Sequence, residues 1–209
     1  MSRYNTTMNR FAAFVGSLAI GALLAGCGSS SPTAKKPATG KPDGGSARID
    51  IKHATDPGAG DIDLNAKDIT VEDLLATKLP EDMKGGLEEH NEDRIGEFEK
   101  STFRVKGTLK SVILRKDGDY YLVMEGKTGK QAVIEVPDPK LAKGSPIYDR
   151  IVAARSEIES KYHPTTEKKD INEPATIEGV GFYGWRSQQG AGGHGSAPRL
   201  MPGTGFKSG

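Results

Sequence analysis

The chain of 209 residues holds one cysteine, Cys27. That excludes an internal disulfide framework and any zinc site built on several thiolates. Histidine is scarce too. His53, His90, His163 and His194 nowhere stand at metal-ligand spacing, so neither a metal nor a cofactor is expected. Hydrophobic residues make up 35% and aromatics 6%, below the ~45–50% apolar content of an average globular domain. With 27 glycines and 12 prolines, part of the chain is not building a core. No sign of charge dominates, since the net charge is +1. No Gly-x-Ser-x-Gly elbow, phosphate loop or dinucleotide fingerprint is present, which removes the commonest motif-borne chemistries.

What is present begins at the N-terminus. Arg3 and Arg10 stand among residues 1–10 with no acid, and Phe11 to Leu24 is an unbroken apolar or small stretch. Its fourteen residues fall short of the about 20 that a membrane-spanning helix needs. Leu24-Ala25-Gly26-Cys27 follows. A basic start, a short apolar run and small residues before a cut site are the parts of a secretory signal, and this one resembles a bacterial lipobox. The resemblance implies a diacylglycerol thioether on Cys27, cleavage before Cys27, and acylation of the new amine with a palmitate-type chain. The chemistry suits cysteine, whose thiolate is a good nucleophile. Each buried acyl CH₂ contributes ~0.8 kcal/mol, so two or three chains hold durably. Gly28 after the cysteine, in place of an aspartate, points to the outer membrane if the host is Gram-negative. Loss of residues 1–26 removes Arg3 and Arg10 and leaves 27 basic against 28 acidic side chains. That is no electrostatic footprint for a polyanion, and nucleic acid is an unlikely partner.

Residues 27–47 are Ser, Pro, Gly, Lys and Thr with no large apolar side chain. They read as a lipid-anchored disordered tether. Residues 48–100 form an acidic, sparse, partly ordered region. Ile49 and Ile51 suggest a short strand. Thr70 is placed to cap a short helix carrying Glu72 and Asp73 in its first turn. Ile95 and Phe98, three apart in a charge-rich stretch, have helical spacing. Asp61, Asp63, Asn65 and Glu72 have part of a calcium-loop spacing, but Ala66 and Asp68 break the pattern that such a loop needs.

The core is expected in residues 101–202. Phe103 to Lys110 alternates apolar and polar, and the period slips near Ser111, as in a long bulged strand. Asp117-Gly118 supplies a hairpin turn, Asp119 to Glu125 a second strand, and Gln131 to Val136 a third. Ile147, Ile151, Ala154, Ile158 and Tyr162 then share one helical face, with Ser145 as cap and Pro146 at the first position. His163 closes that helix. Ala175 to Trp185 reads as a strand, Arg199-Leu200-Met201 as the last one, and residues 203–209 as a disordered tail. The predicted fold is therefore mainly β with one helix. The order βββαββ matches a small OB-like five-stranded barrel, with an open α+β sheet as the alternative.

The strings Asp117-Gly118-Asp119-Tyr120-Tyr121-Leu122-Val123, Ile134-Glu135-Val136-Pro137-Asp138-Pro139, Ser145-Pro146, Ala153-Ala154-Arg155 and Ile177 to Tyr183 occur in this order. Over residues 94–202 the chain is similar to a family of exported bacterial proteins with no assigned activity. The resemblance implies a secreted, compact, OB-like domain and no particular reaction. Cysteines and histidines frequent in that family are replaced here by Leu141, Ala142, Arg186 and Met201.

Aromatics cluster at Tyr120 and Tyr121 and again at Phe182, Tyr183 and Trp185. Neighbours on a strand face opposite ways, so one of each adjacent pair is expected outside. With Arg104, Lys106 and Arg186, the residues Tyr120, Tyr121, Tyr183 and Trp185 form the candidate ligand face. Residues 101–186 hold 15 basic and 12 acidic side chains, so that face is only mildly basic. His53, His90 and His194 are expected at the solvated surface. Three function classes fit. The first is a lipid-anchored cell-envelope module that binds an envelope protein, a glycan or an oligonucleotide, in that order. The second is an envelope hydrolase or nuclease using carboxylates, and the third a purely structural lipoprotein. No catalytic residue is identified, and an enzyme is the less favoured reading.

Overall fold

The computed structural model describes residues 48–81, 87, 92–185 and 196–209. Contacts divide the chain into Met1–Gly40 and Lys41–Gly209, and every described residue belongs to the second unit. The signal segment, the lipobox with Cys27, the tether, His90, Arg186 and His194 lie outside the described residues. Among the described residues no helix is long and apolar enough to cross a membrane.

The fold is mainly β. Its elements are α1 (Ile49–His53), β1 (Asp63–Ile69), α2 (Val71–Ala76), β2 (Ser101–Leu114), β3 (Tyr120–Glu125), β4 (Gln131–Val136), α3 (Tyr148–Tyr162), β5 (Lys169–Trp185) and β6 (Ser196–Ser208). The six strands form one sheet in the order β1-β2-β3-β4-β6-β5, and β2 also pairs with β5. The pairings β2–β3, β3–β4, β2–β5 and β5–β6 are antiparallel, whereas β1–β2 and β4–β6 are parallel.

Local chemistry explains most of these boundaries. The register of β2 shifts between Leu109 and Ser111 against both β3 and β5, where the sequence period slips. Gly118 adopts φ 91° in the turn after β2, a left-handed conformation that costs glycine little. On β3 the side chains of Tyr120, Leu122 and Met124 are buried and alternate with half-buried ones. Helix α3 buries Ile151, Ala154, Ile158 and Tyr162, joined by Ile147 just before it. His163 ends it with φ 45°, its N–H donating to the Glu159 carbonyl at 3.0 Å. Thr70 caps α2 by accepting from the Asp73 N–H at 3.0 Å. The apolar side chains of β2–β6, α2 and α3 meet in one core that includes Val105, Leu109, Leu122, Ile134, Ile151, Ile177 and Leu200.

Several expectations are corrected. Ile49 and Ile51 lie in a helix, α1, rather than a strand. Ile51 packs on Phe182 and Met201 while Ile49 is exposed, and Arg48 and Lys52, four apart, both turn inward. Among the described residues there are three α-helices: the expected α2 and α3, and α1. The core is not confined to residues 101–202, because β1 extends the sheet beside β2 and Val71 and Leu74 enter the core. Ile95 is buried, yet only Phe98–Lys100 is helical nearby, as a single 3-10 turn. Residues 203–209 are not a disordered tail. β6 continues to Ser208, and Phe206 packs edge-on against Tyr162 with ring centroids 5.8 Å apart. The glycines that suggest a frayed end are there for fit. A Cβ on Gly203 would stand 2.7 Å from the Val136 side chain, closer than packed carbons approach.

Candidate functional site

The residues of the candidate ligand face do not converge. Tyr120 is buried, with its ring under the Arg155 guanidinium at 3.7 Å and its hydroxyl on the Glu159 carboxylate. Tyr183 is buried as well. Its hydroxyl donates to the Lys78 carbonyl at 2.8 Å and its ring meets Phe98 at 4.8 Å. Phe182 is buried on the other side, so neither member of that adjacent pair faces solvent. Strand alternation fails there because chain covers both faces: Ile51 lies over Phe182, and Leu87 and Ile95 lie over Tyr183. Tyr121 is half-buried opposite Ile113, 5.2 Å from the Arg115 guanidinium, at the far end of β2 from Arg104. The backbone of Trp185 closes β5, and its side chain lies outside the described residues.

Burial pushes the Tyr120 phenol up to about 12, helped by the hydrogen bond to Glu159. The neutral phenol is the favoured form, so its contribution is complete below the ordinary value of 10.0 and is lost as pH rises through about 12. An alkaline titration followed by tyrosinate absorbance should therefore show a step near 12 that Tyr120→Phe removes. If the variant keeps every step, this environment for Tyr120 is wrong.

Arg104 and Lys106 do come together, on the outward face of β2. They line a cleft of about 590 Å³ with Thr176 and Glu178 of β5, Ala153 and Glu157 of α3, and the end of β6. Arg104 Nε donates to Glu178 at 2.8 Å, and its Nη1 reaches Asp68 at 3.3 Å. Both carboxylates hold the guanidinium above its ordinary value. Lys106 is exposed. The floor contains Ala154, Phe206 and Thr204, all buried. The Thr204 hydroxyl has no hydrogen-bond partner, a costly state for a buried polar group.

A second cluster is mostly internal. The Lys52 ammonium, 8% exposed, lies 2.6 Å from Asp119, 2.9 Å from Glu135 and 3.3 Å from Asp117. Arg199 stands 3.4 Å from Glu135. Burial alone would lower the Lys52 ammonium, but Glu135 and Asp119 reverse this and hold it well above the ordinary lysine value. Burial likewise pushes the Asp119 carboxyl up, and His53 and Lys52 more than offset it, so it lies below its ordinary value. His53 is thus not at the surface; it is 4% exposed, with Nε2 3.8 Å from Asp119. Two further buried pairs, Arg48–Glu99 at 2.5 Å and Arg94–Asp56 at 2.7 Å, flank this cluster. Chemically this is a lock, in which cations on and beside α1 bind carboxylates of the β2–β3 turn, of β4 and of the turn before β2. Its buried charges are already paired with one another, and the half-exposed Asp117 forms its outer edge.

Sequence reading missed Lys52, His53, Glu99 and Thr204. The first three look like solvated charges in a charge-rich region, and only the four-residue spacing of Arg48 and Lys52 hints at a common face. Thr204 sits in what reads as a tail. The calcium-like residues are otherwise engaged: Asp63 accepts from Asn65, and Glu72 accepts from the Thr128 N–H at 2.9 Å. Among the described residues no group of three or more His, Cys, Asp or Glu side chains is placed to hold a metal. Compared with known proteins, the chain matches no family model and no curated protein.

Proposed function

We propose that this protein is a lipid-anchored cell-envelope binding module, built on an OB-like barrel, whose ligand enters the cleft beside Arg104 and Lys106. The barrel reading rests on the pairing of β2, β3, β4, β6 and β5. Each of these five strands has partners on both sides, β2 closing on β5, and α3 falls between the third and fourth. That is the order of an OB fold. The lipid anchor rests on Leu24-Ala25-Gly26-Cys27 after a basic start and a short apolar run. The one observation that carries the binding reading is the cleft itself. Its lining combines charged groups, small helix residues and a buried hydroxyl without a partner, as a polar ligand requires. The hydrolase alternative has less support, because of the two cleft carboxylates, Glu157 and Glu178, the second is already bonded to Arg104.

Two measurements test this. Cys27→Ser should move the protein from the detergent phase to the aqueous phase of a phase separation, and unchanged partitioning overturns the anchor. Full-length protein should retain envelope material that Ala153→Trp releases. Ala153 is exposed on α3 at the rim of the cleft, so the indole blocks entry without touching the core. Equal retention by both proteins overturns the binding site.

A further inference from the structure

The cleft has a chemical polarity that narrows its ligand. On three neighbouring strands the register sets Lys106 of β2 opposite Thr176 of β5, and Thr176 opposite Lys207 of β6. Strands lie ~4.8 Å apart, so the two lysine backbones are about 10 Å from each other with Thr176 between them. Side chains of that length can bring both ammonium groups over the threonine. Both lysines are exposed, and among the described residues neither makes an ion pair. The next rung is different. There Arg104 faces Glu178, and Glu178 faces Gly205. The missing side chain at Gly205 matters, because a Cβ there would stand 3.3 Å from Glu178. Glycine lets the Glu178 stem lie flat and keep its bond to Arg104.

Thr204 completes the floor. The β5–β6 register steps from Glu178↔Gly205 to Gly179↔Gly203, so Thr204 is the extra residue of a bulge. Bulges re-aim side chains. Here the re-aimed residue lines the cleft, is 5% exposed, and has a hydroxyl with no partner. The site thus has two unpaired cations at one end. At the other it has the Thr204 hydroxyl and the Glu178 carboxylate, over the small side chains of Ala153 and Ala154, while Glu157 borders Lys207.

Building on the binding-module reading, we propose that the cleft takes one sugar unit carrying a carboxylate or a phosphate. The anionic group sits between Lys106 and Lys207, and the sugar hydroxyls meet Thr204 and Glu178. Carboxylates suit sugar hydroxyls because they only accept, and each hydroxyl has a proton to donate. Lysines suit the anion as movable point charges. A single-stranded oligonucleotide fits less well, because the cleft offers no exposed aromatic for a base to stack on.

The test uses the full chain and matched pairs of small sugars. N-acetylmuramic acid is compared with N-acetylglucosamine, and glucose 6-phosphate with glucose, by calorimetry or resonance shifts. At least one acidic member should bind tenfold or more tightly than its neutral partner, and which one does identifies the source of the charge. Lys106→Glu combined with Lys207→Glu should remove that preference. Thr204→Val should weaken binding several-fold while the melting temperature holds or rises, an outcome a purely structural threonine would not give. Equal binding of acidic and neutral sugars overturns the proposal. So does equal binding of inorganic phosphate and the sugar phosphate, or an oligothymidylate that outcompetes both acids. If no sugar binds but Ala153→Trp still releases envelope material, the ligand class falls and the binding module stands. If Ala153→Trp releases nothing, the module falls as well.

Discussion

Replacing Lys52 by methionine is expected to destabilise the protein by about 3–5 kcal/mol, the cost of removing one partner from a buried ion cluster. The melting temperature should fall by about 6–20 °C at 2–4 °C per kcal/mol. The stem of Lys52 is close in size to methionine, so packing changes little. What changes is that Asp119 and Glu135, both buried and both within 3 Å of the ammonium, face each other with no cation between them. Asp119 retains the Asp138 N–H at 2.9 Å, and Glu135 retains Arg199, so the loss is partial. The pH dependence has a definite sign. Lys52 is raised in the fold, so its contribution is complete below the ordinary value of 10.5 and is lost as pH climbs beyond it. Asp119 is lowered, so its contribution is complete above 3.8 and fades as pH falls below that. The gap between wild type and Lys52→Met should thus be widest between those limits and narrow toward either end. Denaturant titrations at several pH values check this, and a gap under about 1 kcal/mol at neutral pH would remove the lock from the account.

The contrast between this cluster and the sheet explains what could be read in advance. The bulge near Ser111, the glycine turn at Gly118, the cap at Thr70 and the buried face from Ile147 to Tyr162 all rest on periodicity or on turn chemistry, which are local. So does the pairing of Arg104 with Lys106 on one face. Lys52, His53, Asp119 and Glu135 come together only because α1 packs on β5 and β6 beside the β2–β3 turn and the end of β4, and nothing local distinguishes a charge that will be buried from one that will be solvated. The same long-range covering hides Tyr183, which strand alternation alone assigns to solvent or core by position. β6 is hidden for a different reason. Gly203 and Gly205 weaken any strand pattern, yet their lack of a side chain is what lets β6 pass close to Val136 and Glu178. The cleft residues Thr204 and Lys207 belong to that same stretch, so the half of the site on β2 was legible and the half on β6 was not.

Glu99→Gln is expected to cost about 3–5 kcal/mol, for the reason that governs any buried pair broken on one side. Glu99 is fully buried and accepts four hydrogen bonds. Two come from the Arg48 guanidinium, at 2.7 and 2.5 Å, and two from the backbone N–H groups of Ile95 and Tyr183, each at 2.7 Å. A glutamine of the same shape has one acceptor oxygen and one NH₂ group. Whichever way its amide turns, the NH₂ faces donors, and Arg48 remains buried with its charge unmatched. The three segments that meet at Glu99 are the start of α1, the turn at Ile95 and the end of β5. They should loosen together, because one carboxylate bonds to all three. Amide exchange therefore separates this from a general loss of stability. Protection of the Ile95 and Tyr183 amides should fall by more than that of Leu122 and Ile134, which lie in β3 and β4 away from the carboxylate. A uniform loss across all four amides, or a loss of stability under about 1 kcal/mol, would mean that Glu99 is not the point at which the N-terminal segment is fastened to the sheet. A loss confined to its neighbours would place the fastening at a single buried carboxylate.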